Sequence, residues 1–150
     1  CLTTQLRQML AGYQDIVGRP RVLLATLPGE SHTLPQQMVA LYLVVCGAKP
    51  RLLGGATPVD EILASAEVLA TDVVGITVTL TAERKQARKH IQALRRKLPA
   101  HVQLWVGGGG ATGLGIHSES TRVVVSWEEI DRAVLDCQNQ LQRARADRQV

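Results

Sequence analysis

Five short apolar runs, all but the fourth followed by a stretch with helical spacing, constrain this chain more than any other feature. Val22 to Leu27, Arg51 to Leu53, Val73 to Thr79, Val102 to Val106 and Arg122 to Val125 have strand length and are nearly all apolar. Strands of that kind are buried on both faces, which requires a parallel sheet covered by crossover helices. The intervening helices carry their own start signals. Thr33 and Gln36 form a possible capping box for a helix from about Pro35 to Cys46. Thr57, with Pro58 next and Asp60 three on, opens one running to about Ala70. Thr81 is expected to cap a basic helix that stops before Pro99, and Ser126 with Glu129 to box a last helix whose buried side is Trp127, Ile130, Val134, Cys137 and Leu141.

Upstream, Leu2, Leu6, Met9, Leu10, Tyr13, Ile16 and Val17 recur at three- and four-residue steps, a helical stripe that Gly18 and Pro20 end. The chain therefore divides into residues 1–18, a helix read as the last piece of a preceding helical bundle, residues 19–142, an α/β domain, and residues 143–150, a charged tail expected to fray. At 150 residues the chain has the size of one domain. Right-handed crossovers leave few topologies for five parallel strands, and the expected fold is α/β, a doubly wound, flavodoxin-like (Rossmann-like) sheet of order 2-1-3-4-5 with an extra N-terminal helix. Ligands of such sheets bind at the carboxyl ends of the strands. That rim comprises Thr26 to Leu34, Gly54 to Thr57, Thr77 to Thr81, Gly107 to Gly113, and Ser126.

Apolar residues make up 45% of the chain, and no apolar run approaches the roughly 18 residues of a membrane span. A soluble, cytoplasmic protein is expected, with no membrane partner. Cys1, Cys46 and Cys137 are odd in number and far apart, which fits a reducing compartment and neither a disulfide framework nor a zinc site. The first residue is Cys rather than Met, so the chain is expected to be a piece of something longer. The net charge of +4 owes much to Arg84, Lys85, Arg88, Lys89, Arg95, Arg96 and Lys97. A nucleic-acid patch is one reading of that cluster. The other is favoured: Ala87, Ile91, Leu94 and Leu98 fall at helical spacing, making the bases a solvated helix face.

Several chemistries fail on the rim. The run Gly107-Gly108-Gly109-Gly110-Ala111-Thr112-Gly113 lacks the Lys-Ser/Thr of a P-loop and follows the fourth strand, where a dinucleotide fingerprint would follow the first. A phosphoacceptor reading needs a carboxylate at the end of strand three, where the chain has Thr77-Val78-Thr79. What remains is His32, with Glu30 two residues before it. A carboxylate beside an imidazole fixes the ring tautomer and makes it a better metal donor. His90 falls in the basic helix, His101 in a turn and His117 in the loop after the glycines, so four scattered histidines build no all-protein metal site. One histidine suffices when a macrocycle supplies the other positions.

The stretch Glu30-Ser31-His32-Thr33-Leu34 resembles the Asp/Glu-x-His-x-x-Gly signature of cobalamin-binding domains. Together with Pro28-Gly29, Met38 to Leu43, Gly47 and Leu53-Gly54-Gly55-Ala56-Thr57-Pro58, it is similar to the carboxy-terminal domain of light-sensing MerR-type transcriptional regulators of the CarH/LitR class. Thr77-Val78-Thr79 falls where that class carries Ser-x-Leu, and Gly107-Gly108 corresponds to its Gly-Gly pair. Pro35 stands where the signature has Gly, and Ala56 where Asp or Asn is frequent. The resemblance implies base-off (adenosyl)cobalamin with His32 as lower axial ligand of cobalt, oriented by Glu30. Thr33 and Leu34 would continue the binding loop, Thr77 and Thr79 contact the nucleotide tail, and Gly107 and Gly108 let it pass. It further implies a sensory, non-enzymatic module that couples occupancy or light to self-association and to DNA binding by an N-terminal domain not in this chain. Two other readings stay open. One is a degenerate, ligand-free domain used for regulator dimerisation or protein–protein contact; the other is a corrinoid carrier of a methyltransferase.

Overall fold

The computed structural model describes residues 2–12, 18–116 and 118–150. The chain runs α1 (Leu2–Ala11), β1 (Arg21–Thr26), α2 (Leu34–Val45), β2 (Lys49–Leu52), α3 (Val59–Val68), β3 (Val73–Thr77), α4 (Arg84–Lys97), β4 (Gln103–Gly107), β5 (Thr121–Val124) and α5 (Trp127–Arg148). All four strand pairings are parallel, and the order is β2-β1-β3-β4-β5, as expected from the five apolar runs.

Alternation along each strand divides the core into two layers. Leu23, Ala25, Val74, Ile76, Leu104 and Val106 face α3 and α4, packing on Ile62, Ala66, Ala87, Ile91 and Leu94. Val22, Leu24, Val73, Trp105 and Val124 face α2 and α5, packing on Ala40, Leu43, Ile130, Val134 and Cys137. Apart from Arg21 at the start of β1, the central strands β1 and β3 are buried because both faces meet helices, which is why they lack a polar alternation. Helix α1 lies against α2, with Leu2 and Met9 more than half exposed. Tyr13, Ile16 and Val17 of the expected stripe lie outside the described residues.

Several local expectations change. Gln36 does not complete a capping box with Thr33; its Nε2 donates to the Leu53 carbonyl at 3.1 Å, tying α2 to the β2–α3 loop. Thr57 does not cap α3 by its side chain, because its hydroxyl donates to the Gly54 carbonyl at 2.7 Å and Pro58 takes the cap position. Thr81 is likewise not the cap of α4, a position held by Glu83. Ser126 does accept from the Glu129 N–H at 3.2 Å, while the Glu129 carboxylate accepts from the Val125 N–H rather than from that of Ser126. Trp127 is 44% exposed and packs at a tilt against the Tyr42 ring instead of entering the core. Helix α5 continues to Arg148 rather than giving way to a frayed tail over residues 143–150, in keeping with the Ala and Arg content of that stretch.

The basic helix buries Ala87, Ile91, Leu94 and Leu98, as its spacing indicates. One of its cations turns inward: Arg95 donates to the carbonyls of Leu98, Pro99, Val102 and Ser120, binding the end of α4 to the connection before β4 and to the residue before β5.

Candidate functional site

The site grows from the end of β1. Thr26 is fully buried, and its hydroxyl donates to the Glu30 carbonyl at 2.9 Å while accepting from the Ala56 N–H at 2.9 Å. This knot joins the β1–α2 loop to the β2–α3 loop and closes a tight turn in which the Glu30 N–H reaches the Leu27 carbonyl. The turn aims the Glu30 side chain inward, where 8% of it is exposed, and leaves the His32 ring 70% exposed.

Glu30 Oε1 accepts from the His32 backbone N–H at 3.0 Å and lies 2.9 Å from His32 Nδ1. Glu30 Oε2 accepts from the Thr79 hydroxyl, and Thr81 Oγ1 lies 3.1 Å from that hydroxyl. With its own proton given to Glu30, Thr79 is the acceptor for Thr81. Burial alone would raise the Glu30 carboxyl, but the Thr79 hydroxyl, the His32 N–H and the imidazole outweigh it and hold the group below its ordinary range. An ionised carboxylate can only accept, so Nδ1 carries the ring proton and a neutral imidazole keeps its free lone pair on Nε2. Nε2 has no hydrogen-bond partner among the described residues.

Beside the imidazole is an open cleft of about 400 Å³ between the ends of β1 and β3 and the first turns of α4. Glu30, His32 and Thr77 line it together, as the sequence indicated for the rim, and so does His90. The position of His90 corrects its reading as a mere helix residue: with Glu83 at the cap of α4 and Gln86 one turn before it, it lines the cleft. Thr26, the residue that fixes the turn, was missed because it reads as an ordinary strand end. Thr33 and Leu34 do not line this cleft; Thr33 Oγ1 accepts from Gln37, and Leu34 is 38% exposed at the start of α2. Pro35 is exposed in the first turn of α2, where no backbone donor is required, and it does not enter the cleft.

The glycine run makes close backbone approaches of its own. A Cβ on Gly108, at φ +91°, would lie 2.3 Å from the Val78 carbonyl oxygen, and one on Gly110 would lie 2.2 Å from that of Thr79. The β4–β5 loop is thereby laid on the β3–α4 segment, with Val78 donating to Gly107 and Gly110 donating back to Val78. These bonds steady the segment that carries Thr79 and Thr81. Gly107 and Gly108 are not brought to the cleft. His101 is exposed in the turn after α4, and His117 lies outside the described residues.

A five-stranded parallel sheet with an imidazole presented at its switch point by a buried carboxylate defines a class of open α/β ligand-binding domains. Residues 20–127 match the B12 binding domain family, and the chain belongs to that family. Among curated proteins it is similar to the HTH-type transcriptional repressor CarH of Myxococcus xanthus, with 29% identity over 89 residues, 59% of this chain. The match spans 30% of that repressor's length. Among solved structures, a cobalamin-binding protein from Desulfitobacterium hafniense DCB-2 superposes with a TM-score of 0.58 and 19% identity, covering 89% of this chain and 65% of that one. The monomethylamine corrinoid protein of Methanosarcina barkeri superposes with a TM-score of 0.62 and 13% identity, covering 90% and 66%. At such identities these two likenesses bear on the fold alone.

The residues present fit a corrinoid. The exposed His32 imidazole, its tautomer set from behind by a buried carboxylate, would offer a nitrogen lone pair to a metal, and it stands at an open cleft. Two buried amide oxygens near the start of α2, Gln36 Oε1 and Gln37 Oε1, lack hydrogen-bond partners among the described residues, but neither residue lines the cleft.

Proposed function

We propose that this domain holds cobalamin base-off through His32 and serves as the sensory part of a transcriptional regulator. The observation that carries the reading is the Glu30–His32 pair, in which Nδ1 is engaged and Nε2 is free and exposed at the cleft. When bound, the corrinoid supplies a cobalt ion able to accept a nitrogen lone pair. Everything else is the work of this chain. Glu30 keeps the ring in one tautomer and orientation, Thr79 and Thr81 keep Glu30 ionised and in place, and Thr26 fixes the turn that separates them. Thr77 lines the cleft alongside.

On this reading the domain performs no turnover. It couples adenosylcobalamin occupancy, or light acting on the bound cofactor, to self-association in the cytoplasm and to DNA binding by an N-terminal domain outside this chain. Membership of the B12 binding family and similarity to the repressor CarH support that context. The exposed position of Pro35 favours it over a ligand-free scaffold, because the departure from the family signature does not fill the cleft.

The test is retention. Purified protein is mixed with adenosylcobalamin in the dark and desalted, and the visible spectrum is recorded. Retained corrinoid absorbance is expected, and His32→Ala is expected to weaken it. No retained absorbance in the unsubstituted protein sinks the proposal.

A further inference from the structure

At the opposite end of the sheet from His32, a groove of about 250 Å³ is lined by Arg21, Lys49 and Arg51, with Val68, Leu69 and Thr71 in its wall. The strand register explains the gathering. Arg21 stands opposite Lys49 and Leu23 opposite Arg51, so alternation puts all three cations on the face that Leu23 shares with α3. Like charges directly opposite each other are destabilising, yet none of the three side chains has an ion pair or a hydrogen bond with a described residue. Arg19, Lys97 and Arg122, by contrast, each meet a carboxylate. The neighbouring Asp72 is already engaged by Arg19 Nη1 at 3.1 Å and by the Arg21 N–H at 2.8 Å. The C-terminus of α3 offers about half a negative charge. That leaves most of three positive charges uncompensated in a concave site.

We propose that this groove is a phosphate-binding site. Two guanidinium forks match phosphate oxygens bidentately, and a lysine adds a point charge. The volume falls below the ~300–1,000 Å³ of pockets that enclose whole drug-sized ligands, so the site admits a phosphate or diphosphate group rather than an entire cofactor. Such a group belongs either to a free phosphorylated small molecule or to a nucleic-acid backbone.

The probe is pyrophosphate, titrated calorimetrically at low ionic strength. The comparison is between Arg21→Gln/Arg51→Gln and Lys85→Gln/Lys89→Gln, a pair on the exposed face of α4 that removes the same charge elsewhere. The unsubstituted protein is expected to bind; the groove variant should lose roughly tenfold or more in affinity, as loss of two charge-assisted forks implies, and the α4 variant little. Relief of like-charge repulsion should leave the groove variant's thermal midpoint at or above that of the parent, which also reports that it is folded. A second arm uses a short DNA duplex of random sequence. If the backbone is the source, the groove variant weakens duplex binding and lowers the log–log salt slope by about 2. If duplex binding is the same in both variants while pyrophosphate binding differs, the source is a free phosphorylated molecule. Absence of pyrophosphate binding in the unsubstituted protein, or an equal loss in both variants, overturns the proposal whatever the outcome with cobalamin.

Discussion

Replacing Thr79 by Val removes one hydroxyl and keeps the shape of the side chain. In the native site that hydroxyl donates to Glu30 Oε2, and the receiving carboxylate is 8% exposed, so water cannot readily take its place. Hydrogen bonds to charged groups contribute about 1.5–3 kcal/mol, and the other oxygen, Oε1, keeps both of its donors. A loss of about 2 kcal/mol is expected, or roughly 4–8 °C in Tm at this chain length. The sign with pH follows from the carboxyl's lowered value. A group whose folded pKa is depressed stabilises above its unfolded value, about 4.3, and that contribution is lost as pH falls through the folded value. The gap between Thr79→Val and the parent should thus be full at pH 7 and shrink in acid. Thermal or urea unfolding at pH 7 and below pH 4, with Glu30→Gln as the second arm of a double-mutant cycle, measures it. A change under about 0.5 kcal/mol at pH 7, or an equal penalty in the Glu30→Gln background, would refute the assignment of Thr79 as the clamp on Glu30.

Three further outcomes are expected. Helices α2 and α3 end in the same pair of bonds, but the left-handed residue is Gly47 (φ +85°) in one and Ala70 (φ +48°) in the other. Ala70→Gly should therefore stabilise by about 0.5–1 kcal/mol and Gly47→Ala destabilise by about 1 kcal/mol in chemical denaturation, the latter without a clash because the added Cβ would lie 3.6 Å from Gln138. Ala56 is also left-handed (φ +50°), with its N–H given to Thr26 and Glu30; Ala56→Asn should raise Tm by ~1–3 °C, whereas a lower Tm would show that the loop does not hold this conformation. Burial and the Asp131 carboxylate push the Cys46 thiol up to about 11. Alkylation of Cys46 at pH 8.5, followed by peptide mass spectrometry, should run roughly a hundredfold slower than for a free thiol and recover in part in Asp131→Asn.

Much of the sheet was legible because buried parallel strands must be apolar on both faces, a pattern that admits few alternatives. The Glu30–His32 pair was legible because its two members are neighbours in sequence. Its clamp was not: Thr79 is 49 residues from Glu30, and only the β1–β3 pairing brings them together. Capping signals misled where tertiary demand was stronger. Gln36 matches a capping pattern, yet it serves an otherwise unpaired carbonyl at Leu53. Trp127 has helical spacing with the core residues, but a ring at the first turn of α5 reaches Tyr42 on α2 rather than the sheet. Ala56, where the regulator class often has Asp or Asn, acquires a reason in its positive φ, which those two residues tolerate better. His90 needed the phase of α4 relative to β1, which no single window of sequence contains.

The central claim is that Nε2 of His32 is the lower axial donor to a bound corrinoid. It is tested most directly by electron paramagnetic resonance of the protein loaded with cob(II)alamin, prepared once with natural histidine and once with ¹⁵N-histidine. If the account is right, superhyperfine lines that are triplets in the first sample become doublets in the second, and the coupling disappears in His32→Ala. Triplets unchanged by the label would mean that the cofactor's own base occupies the position, and the role given to His32 would be wrong.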